Sequence, residues 1–125
     1  MKLLLDTHIV LWAMRDADEL SAAARRLLSE AEQVFVSSVS IWEAVIKVAA
    51  GKLPLDPVRL KAQIAAAGFE PLDVSWAHAL KLAELPMLHR DPFDRMLIAQ
   101  ALAEPLRLVT HDAALAAYSD LVTVV

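Results

Sequence analysis

Leu3-Leu4-Leu5-Asp6 is a wholly apolar tripeptide closed by an acid. A strand that reads as continuously apolar, rather than alternating, is one buried on both faces, as in a parallel sheet. The same pattern recurs outward along the chain. Val34-Phe35-Val36 is stopped by Ser37-Ser38, Phe69 to Leu72 is a short third run, Leu106 to Val109 leads into Thr110-His111-Asp112, and Leu121 to Val124 is a fifth. Helical segments fill the gaps. They are Ile9 to Met14, a stretch opened by Ser21 and rich in Ala and Leu, Ser40 to Ala50 closed by Gly51, and Val58 to Ala67 ended by Gly68. Ser75 to Glu84 follows with Ser75 as its N-cap, and then Asp91 to Ala103, where Asp91 caps, Pro92 takes the first position and Pro105 ends the helix. Asp112 to Tyr118 is the last. Strands alternating with helices predict an α/β fold, a three-layer α/β/α arrangement around a mostly parallel five-stranded sheet. Nothing marks an internal boundary, so residues 1–125 are expected to form one domain, as their number also implies at about 100–200 residues per domain.

Composition removes whole classes of chemistry. The chain has no cysteine, which excludes disulfides, thiolate metal sites and cysteine nucleophiles. Its two glycines, Gly51 and Gly68, are too few and too far apart for a phosphate-cradling loop. The net charge of −4 and the lack of a basic arm argue against strong non-specific nucleic-acid binding, and no direct DNA binding is expected. The longest uncharged stretch, Gln33 to Trp42, is far short of the ~20 residues that span a bilayer. The opening Met1-Lys2-Leu3-Leu4-Leu5 begins like a signal peptide, but Asp6 interrupts it and no small-residue cleavage site follows, so the expected location is cytoplasmic.

The C-terminal ends of parallel strands share one edge, and ligands bind there. Asp6 and Asp112 leave strands at that edge. Glu43 is expected in the first turn or so of the helix after the second strand, and Asp94 in the first turn of the helix begun by Asp91. Asp94, Leu97, Ile98 and Ala101 follow i, i+3, i+4, i+7 spacing, so Asp94 lies on the core-facing stripe. Each acid also has an ordinary explanation. Asp6 and Asp112 can be N-caps, Glu43 can pair with Lys47 at i+4, and Asp94 can serve the helix N-terminus beside Asp91. Four acids at one edge would repel one another unless a cation sat between them, and a hard divalent ion suits all-oxygen ligands. Setting those four aside leaves 12 acidic against 12 basic residues, so the negative excess coincides with the postulated site.

Leu5-Asp6-Thr7, Trp42-Glu43-Ala44, the segment His89 to Ala101 and Thr110-His111-Asp112 together resemble the PIN domain. The Ser37-Ser38…Glu43 spacing and Gly51-Lys52-Leu53 fit as well. His89-Arg90-Asp91-Pro92-Phe93-Asp94-Arg95-Met96 is the most specific piece and is similar to the VapC-type branch, the toxins of bacterial toxin–antitoxin pairs. The resemblance covers essentially the whole chain. It implies a ribonuclease dependent on Mg²⁺ or Mn²⁺, with Asp6, Glu43 and Asp94 as the core acids, Asp112 as a fourth, and Asp91 as a rival for the third position. Thr110 would support a water at the metal, and Thr7 and Ser38 are weaker candidates to support the acids. The implied products carry 5′-phosphate and 3′-hydroxyl ends. The implied partners are an RNA substrate, a co-encoded antitoxin and a second copy of the chain.

Lys47, Lys52, Arg90 and Arg95 flank the acids and are the candidate RNA contacts, against the alternative that they are ordinary surface charges. His8, His89 and His111 fall near the acids, whereas His78 does not; the first three are read as supporting or surface residues, with metal ligation as the alternative. Trp12, Trp42 and Trp76 are read as core or interface residues. Three other functions compete. A receiver-type phosphoacceptor needs paired acids after strand one and a lysine after strand five, and both are missing. A haloacid-type phosphatase needs an acid at position 8, which is His8. A non-catalytic partner-binding module of this fold stays open.

Overall fold

In the computed structural model, which describes all 125 residues, the five apolar runs form one sheet. The strands are β1 (Lys2–Leu5), β2 (Gln33–Ser37), β3 (Glu70–Leu72), β4 (Arg107–Thr110) and β5 (Val122–Val124). Their spatial order is β3-β2-β1-β4-β5, and every neighbouring pair is parallel. The receiver-type order, 2-1-3-4-5, is therefore not the order found here.

The helices are α1 (Thr7–Arg15), α2 (Ala22–Glu30), α3 (Ser38–Ala49), α4 (Pro57–Ala66), α5 (Trp76–Lys81) and α6 (Pro92–Ala103). Period-two alternation along β1 divides the core. Leu3 and Leu5 join the cluster built with Ile9, Val10, Ala24, Leu60 and Ile64 from α1, α2 and α4. Leu4 faces the opposite way, into the cluster of Leu97, Ile98 and Ala101 from α6 with Leu108 and Leu115. The run is fully apolar because both of its faces are covered.

Several boundaries differ from the sequence expectation by a residue or two, and two helix starts do so for a clear local reason. α1 starts at Thr7, not Ile9, because the Asp6 carboxylate accepts from the Ile9 N–H at 2.9 Å and caps the helix. α3 starts at Ser38, not Ser40, because Ser37 caps it through the Val39 N–H at 3.0 Å. Glu43 consequently lies in the second turn. Ala113–Tyr118 is a 3₁₀ helix, and a further 3₁₀ turn, Leu82–Glu84, extends α5. Gly68, just past α4, has φ +79°, the left-handed conformation that closes a helix at little cost only for glycine.

Leu108, at the centre of β4 and fully buried, makes a direct test of this core. Leu108→Ala is expected to destabilise the protein by about 2–5 kcal/mol, read as a lower urea midpoint at unchanged slope.

Candidate active site

The order of the strands reverses between β1 and β4, because β2 and β3 extend the sheet on one side and β4 and β5 on the other. A crevice opens at such a switch point, beyond the C-terminal strand ends. Asp6 follows β1 and Asp112 follows β4, so the two acids bracket it. They line one cavity of about 380 Å³ with Asp94, His8, Trp12 and His111.

Asp6 is held at both carboxylate oxygens. Oδ1 accepts from the Ile9 N–H, and Oδ2 accepts a short hydrogen bond from the Thr110 hydroxyl. Thr110 Oγ1 accepts in turn from the Asp112 N–H at 3.0 Å, which links the ends of β1 and β4. Burial is the main reason that the Asp6 carboxyl stands above its ordinary range. The hydrogen bonds from Thr110 and Ile9 oppose the shift, and the nearby Glu43 charge adds to it.

Glu43 is buried in α3, with Oε2 at 2.8 Å from Lys47 Nζ. Its Oε1 is buried without any hydrogen-bond partner. Glu43 does not line the cavity surface, but its charge acts on both Asp6 and Asp94. Asp94 enters from α6, one turn below the cap. Its pKa is pushed up to about 7, first by burial and then by the charges of Asp91, Asp6 and Glu43, with His89 opposing. Asp91 serves as the α6 cap, accepting from the Phe93 and Asp94 N–H groups at 2.8 and 3.3 Å, and Asp94 rather than Asp91 lines the cavity. Asp112 is the outermost acid, its side chain 46% exposed.

The remaining sequence candidates divide. Thr7 donates to Ser40 Oγ at 3.0 Å and ties α1 to α3 beneath the acids. Ser38 accepts from the Val74 N–H at 3.4 Å and lines a separate, mainly apolar cavity with Trp42 and Phe69. Lys47 and Lys52 line a third cavity that adjoins the acids. Arg90 is exposed, and Arg95 reaches the Met87 sulfur, so neither lines a cavity. Trp12 enters the site, with His8 and His111 rings at 5.8 and 5.3 Å, whereas Trp42 and Trp76 are 60% and 89% exposed.

His89 has a more central place than its sequence position indicated. Its Nε2 lies 3.3 Å from Asp112 Oδ2 and 3.7 Å from Asp94 Oδ2. Its Nδ1 accepts the Asp91 N–H at 3.1 Å, which leaves the ring proton on Nε2 facing the two carboxylates. Tyr118 holds the loop by accepting from the Leu88 and His89 N–H groups. Only the contact of this loop with the segment after β4 brings His89 there, and no spacing rule encodes that contact.

A family model described as the PIN domain matches residues 3–121. The chain belongs to the PIN family. A curated relative, Ribonuclease VapC22 of Mycobacterium tuberculosis, is 29% identical over 111 residues, covering 87% of this chain and 85% of the relative. Among solved structures, VapBC2 from Rickettsia felis, bound to a promoter DNA fragment, superposes with TM-score 0.71 at 19% identity, covering 100% of this chain and 98% of that one. A toxin–antitoxin complex from Klebsiella pneumoniae gives TM-score 0.68 at 20% identity, covering 97% and 95%. At these identities the structures establish the shared fold.

The raised Asp94 pKa has a stability consequence with a definite sign. Below about pH 4 the carboxyl is protonated in both folded and unfolded chains. From about pH 4 to 7 the unfolded chain loses the proton while the folded one retains it, so stability falls as pH rises, and the full cost applies above pH 7. With a chelator present, Asp94→Asn is expected to be more stable than the parent at pH 8, by at most about 4 kcal/mol and less after solvent screening at a side chain 21% exposed. The gap should close towards pH 4 in urea titrations; equal midpoints at pH 8 would refute the assigned burial of charge.

Proposed function

We propose that this chain is a metal-dependent endoribonuclease that hydrolyses RNA phosphodiester bonds and acts in the cytoplasm as the toxin of a toxin–antitoxin pair. The observation that carries the reading is the buried Glu43 oxygen without a partner, beside two aspartates whose carboxyls burial and mutual repulsion push upward. The Asp6 cap and the Glu43 ion pair with Lys47 leave the repulsion among the acids unanswered, and a hard divalent cation resolves it. Membership of the PIN family and the likeness to a ribonuclease support the same reading. The donors fit Mg²⁺ or Mn²⁺: Asp6, Glu43 and Asp94 from the interior, with Asp112 at the rim.

A divalent ion, when bound, supplies an acidified water and neutralises charge on the phosphodiester. The protein's own groups do the positioning. The α1 N-terminus and Thr110 fix the Asp6 carboxylate, Lys47 fixes one oxygen of Glu43 and leaves the other free, and the His89 N–H faces Asp94 and Asp112. Water attacks phosphorus in line and the 3′-oxygen leaves, giving 5′-phosphate and 3′-hydroxyl ends. Lys47, Lys52, Arg90 and Arg95 are the proposed RNA contacts, and Ser38 and Thr7 stand further back.

The partners are proposed on the same footing. The solved relatives are toxin–antitoxin assemblies, and an antitoxin is the partner we infer for this chain. Trp42 and Ile46 on α3, with Trp76 and Leu80 on α5, leave large apolar side chains in water, which favours a protein interface and a homodimer. No helix is long and apolar enough to cross a membrane.

Asp6→Asn and Asp94→Asn should each lower Mn²⁺-stimulated cleavage of RNA by more than the roughly 10–100-fold typical of supporting residues around a metal, with far-UV circular dichroism unchanged. Full cleavage by either folded variant, or cleavage undiminished by chelator, would leave the partner-binding module as the better reading.

A further inference from the structure

The cavity that holds Lys47 and Lys52 has the opposite electrostatic character to the acid cavity beside it. It measures about 320 Å³ and lies between α1 and the segment after α3. Three cations line it, Arg15, Lys47 and Lys52, and no carboxylate does. The acid cavity is lined by three aspartates and no lysine or arginine. The two share His8 and Trp12 as a common wall. Lys47 connects them from below, because its ammonium bonds the buried Glu43.

Two of the cations, Lys52 and Arg15, are available to a ligand, whereas Lys47 is engaged with Glu43. Lys52 is exposed and forms no salt bridge. Arg15 meets only Glu19, at 3.7 Å between two half-exposed side chains, a pairing worth little in water. The backbone keeps Lys52 in place, since its N–H donates to the Lys47 carbonyl at 2.9 Å. Apart from His8 the rest of the wall is apolar: Trp12 presents an aromatic face and Leu11, Leu53 and Leu55 aliphatic ones. A ligand for this cavity therefore carries an anionic group at one end and a flat, weakly polar body at the other. A nucleotide has this form, with phosphate for the cations and base for the apolar wall.

We propose that this cavity is a nucleotide subsite that holds the RNA residue next to the scissile phosphodiester, with Arg15 and Lys52 on its phosphate and Trp12 against its base. The placement beside the cleaved bond rests on the ribonuclease reading; the cavity's affinity for a nucleotide does not. The inference also divides the four candidate RNA contacts. Lys47 and Lys52 belong to the subsite, Arg15 joins them, and Arg90 and Arg95 lie outside it. Carboxylate repulsion makes the acid cavity a poor anion site without metal, so the basic cavity is the one that takes a nucleotide under chelating conditions.

The test titrates adenosine, guanosine, cytidine and uridine 5′-monophosphates, and inorganic phosphate, into the full chain with chelator present. The readouts are affinity and the indole N–H resonance of Trp12. At least one nucleotide should bind more tightly than inorganic phosphate and shift that resonance. Arg15→Gln and Lys52→Gln should each weaken it roughly tenfold and flatten its salt dependence, while Lys81→Gln, the same charge change on α5, should leave it unaltered. All three side chains are wholly or partly exposed, so the variants should fold. With Mn²⁺ and RNA, Lys52→Gln should raise KM about tenfold with kcat retained. Nucleotide binding with this residue dependence in a chain that fails to cleave RNA would support the subsite and refute the nuclease reading. Nucleotide affinity no greater than that of inorganic phosphate, or affinity and KM indifferent to Arg15 and Lys52, would overturn the subsite.

Discussion

Parallel pairing of β1 with β4 is the constraint on which the site depends. Leu5 lies opposite Val109, so the residues just beyond, Asp6 and Thr110, meet at the same sheet edge. The bond from Thr110 to Asp6 spans 104 residues of sequence, and neither side chain has another route to the other. Antiparallel pairing would send the two ends to opposite edges. The switch in strand order at this pair then opens the crevice that a continuous winding would close. The geometry of the site and the chain topology are here one fact: the first and fourth strands must be neighbours.

The acids show that structural and functional roles need not compete for a residue. Asp6 and Asp112 both cap the helices that follow them, as an aspartate after a strand ordinarily does. Glu43 does pair with Lys47. In each case the ordinary contact uses one carboxylate oxygen and fixes the rotamer. The second oxygen goes elsewhere: on Asp6 to Thr110, on Asp112 towards His89, and on Glu43 to nothing in the protein. A cap that locks a side chain in place also pre-organises it as a ligand, at no extra cost in rotamer entropy.

Much of this was legible in the sequence because it depends on short-range grammar. The fully apolar β1 run announced a strand covered on both faces, and Asp91-Pro92 announced α6 to within a residue. The i, i+3, i+4, i+7 stripe placed Asp94 above Asp91 as the inward acid. What the sequence hid was set by contacts between distant segments. The start of α3 moved by a fraction of a turn because Ser37, the last residue of β2, caps it, and the serines of Ser37-Ser38 and Ser40 give the sequence several equally plausible starts. The role of His89 depends on Tyr118 gripping its loop, a contact 29 residues away. Arg15 went unnoticed because it sits nine residues from the nearest acid of the set, yet α1 carries it back alongside Lys47.

The burial gradient across the site gives the division of labour among the acids. Asp6 and Glu43 are almost inaccessible, Asp94 is intermediate, and Asp112 is close to half exposed. Water screens Asp112 even without a counter-ion, whereas nothing screens Glu43 except Lys47 and whatever occupies its free oxygen. The electrostatic demand for a cation is therefore concentrated at the bottom of the site and weakens towards the rim. On the reading proposed above, Asp6, Glu43 and Asp94 would hold an ion at the buried end, and a phosphodiester would approach from the side of Asp112 and His89. The basic cavity lies beside that approach, behind the Trp12 wall. On the same reading, positive charge stands next to the path of the polyanion and outside the chamber whose carboxylates would hold the metal.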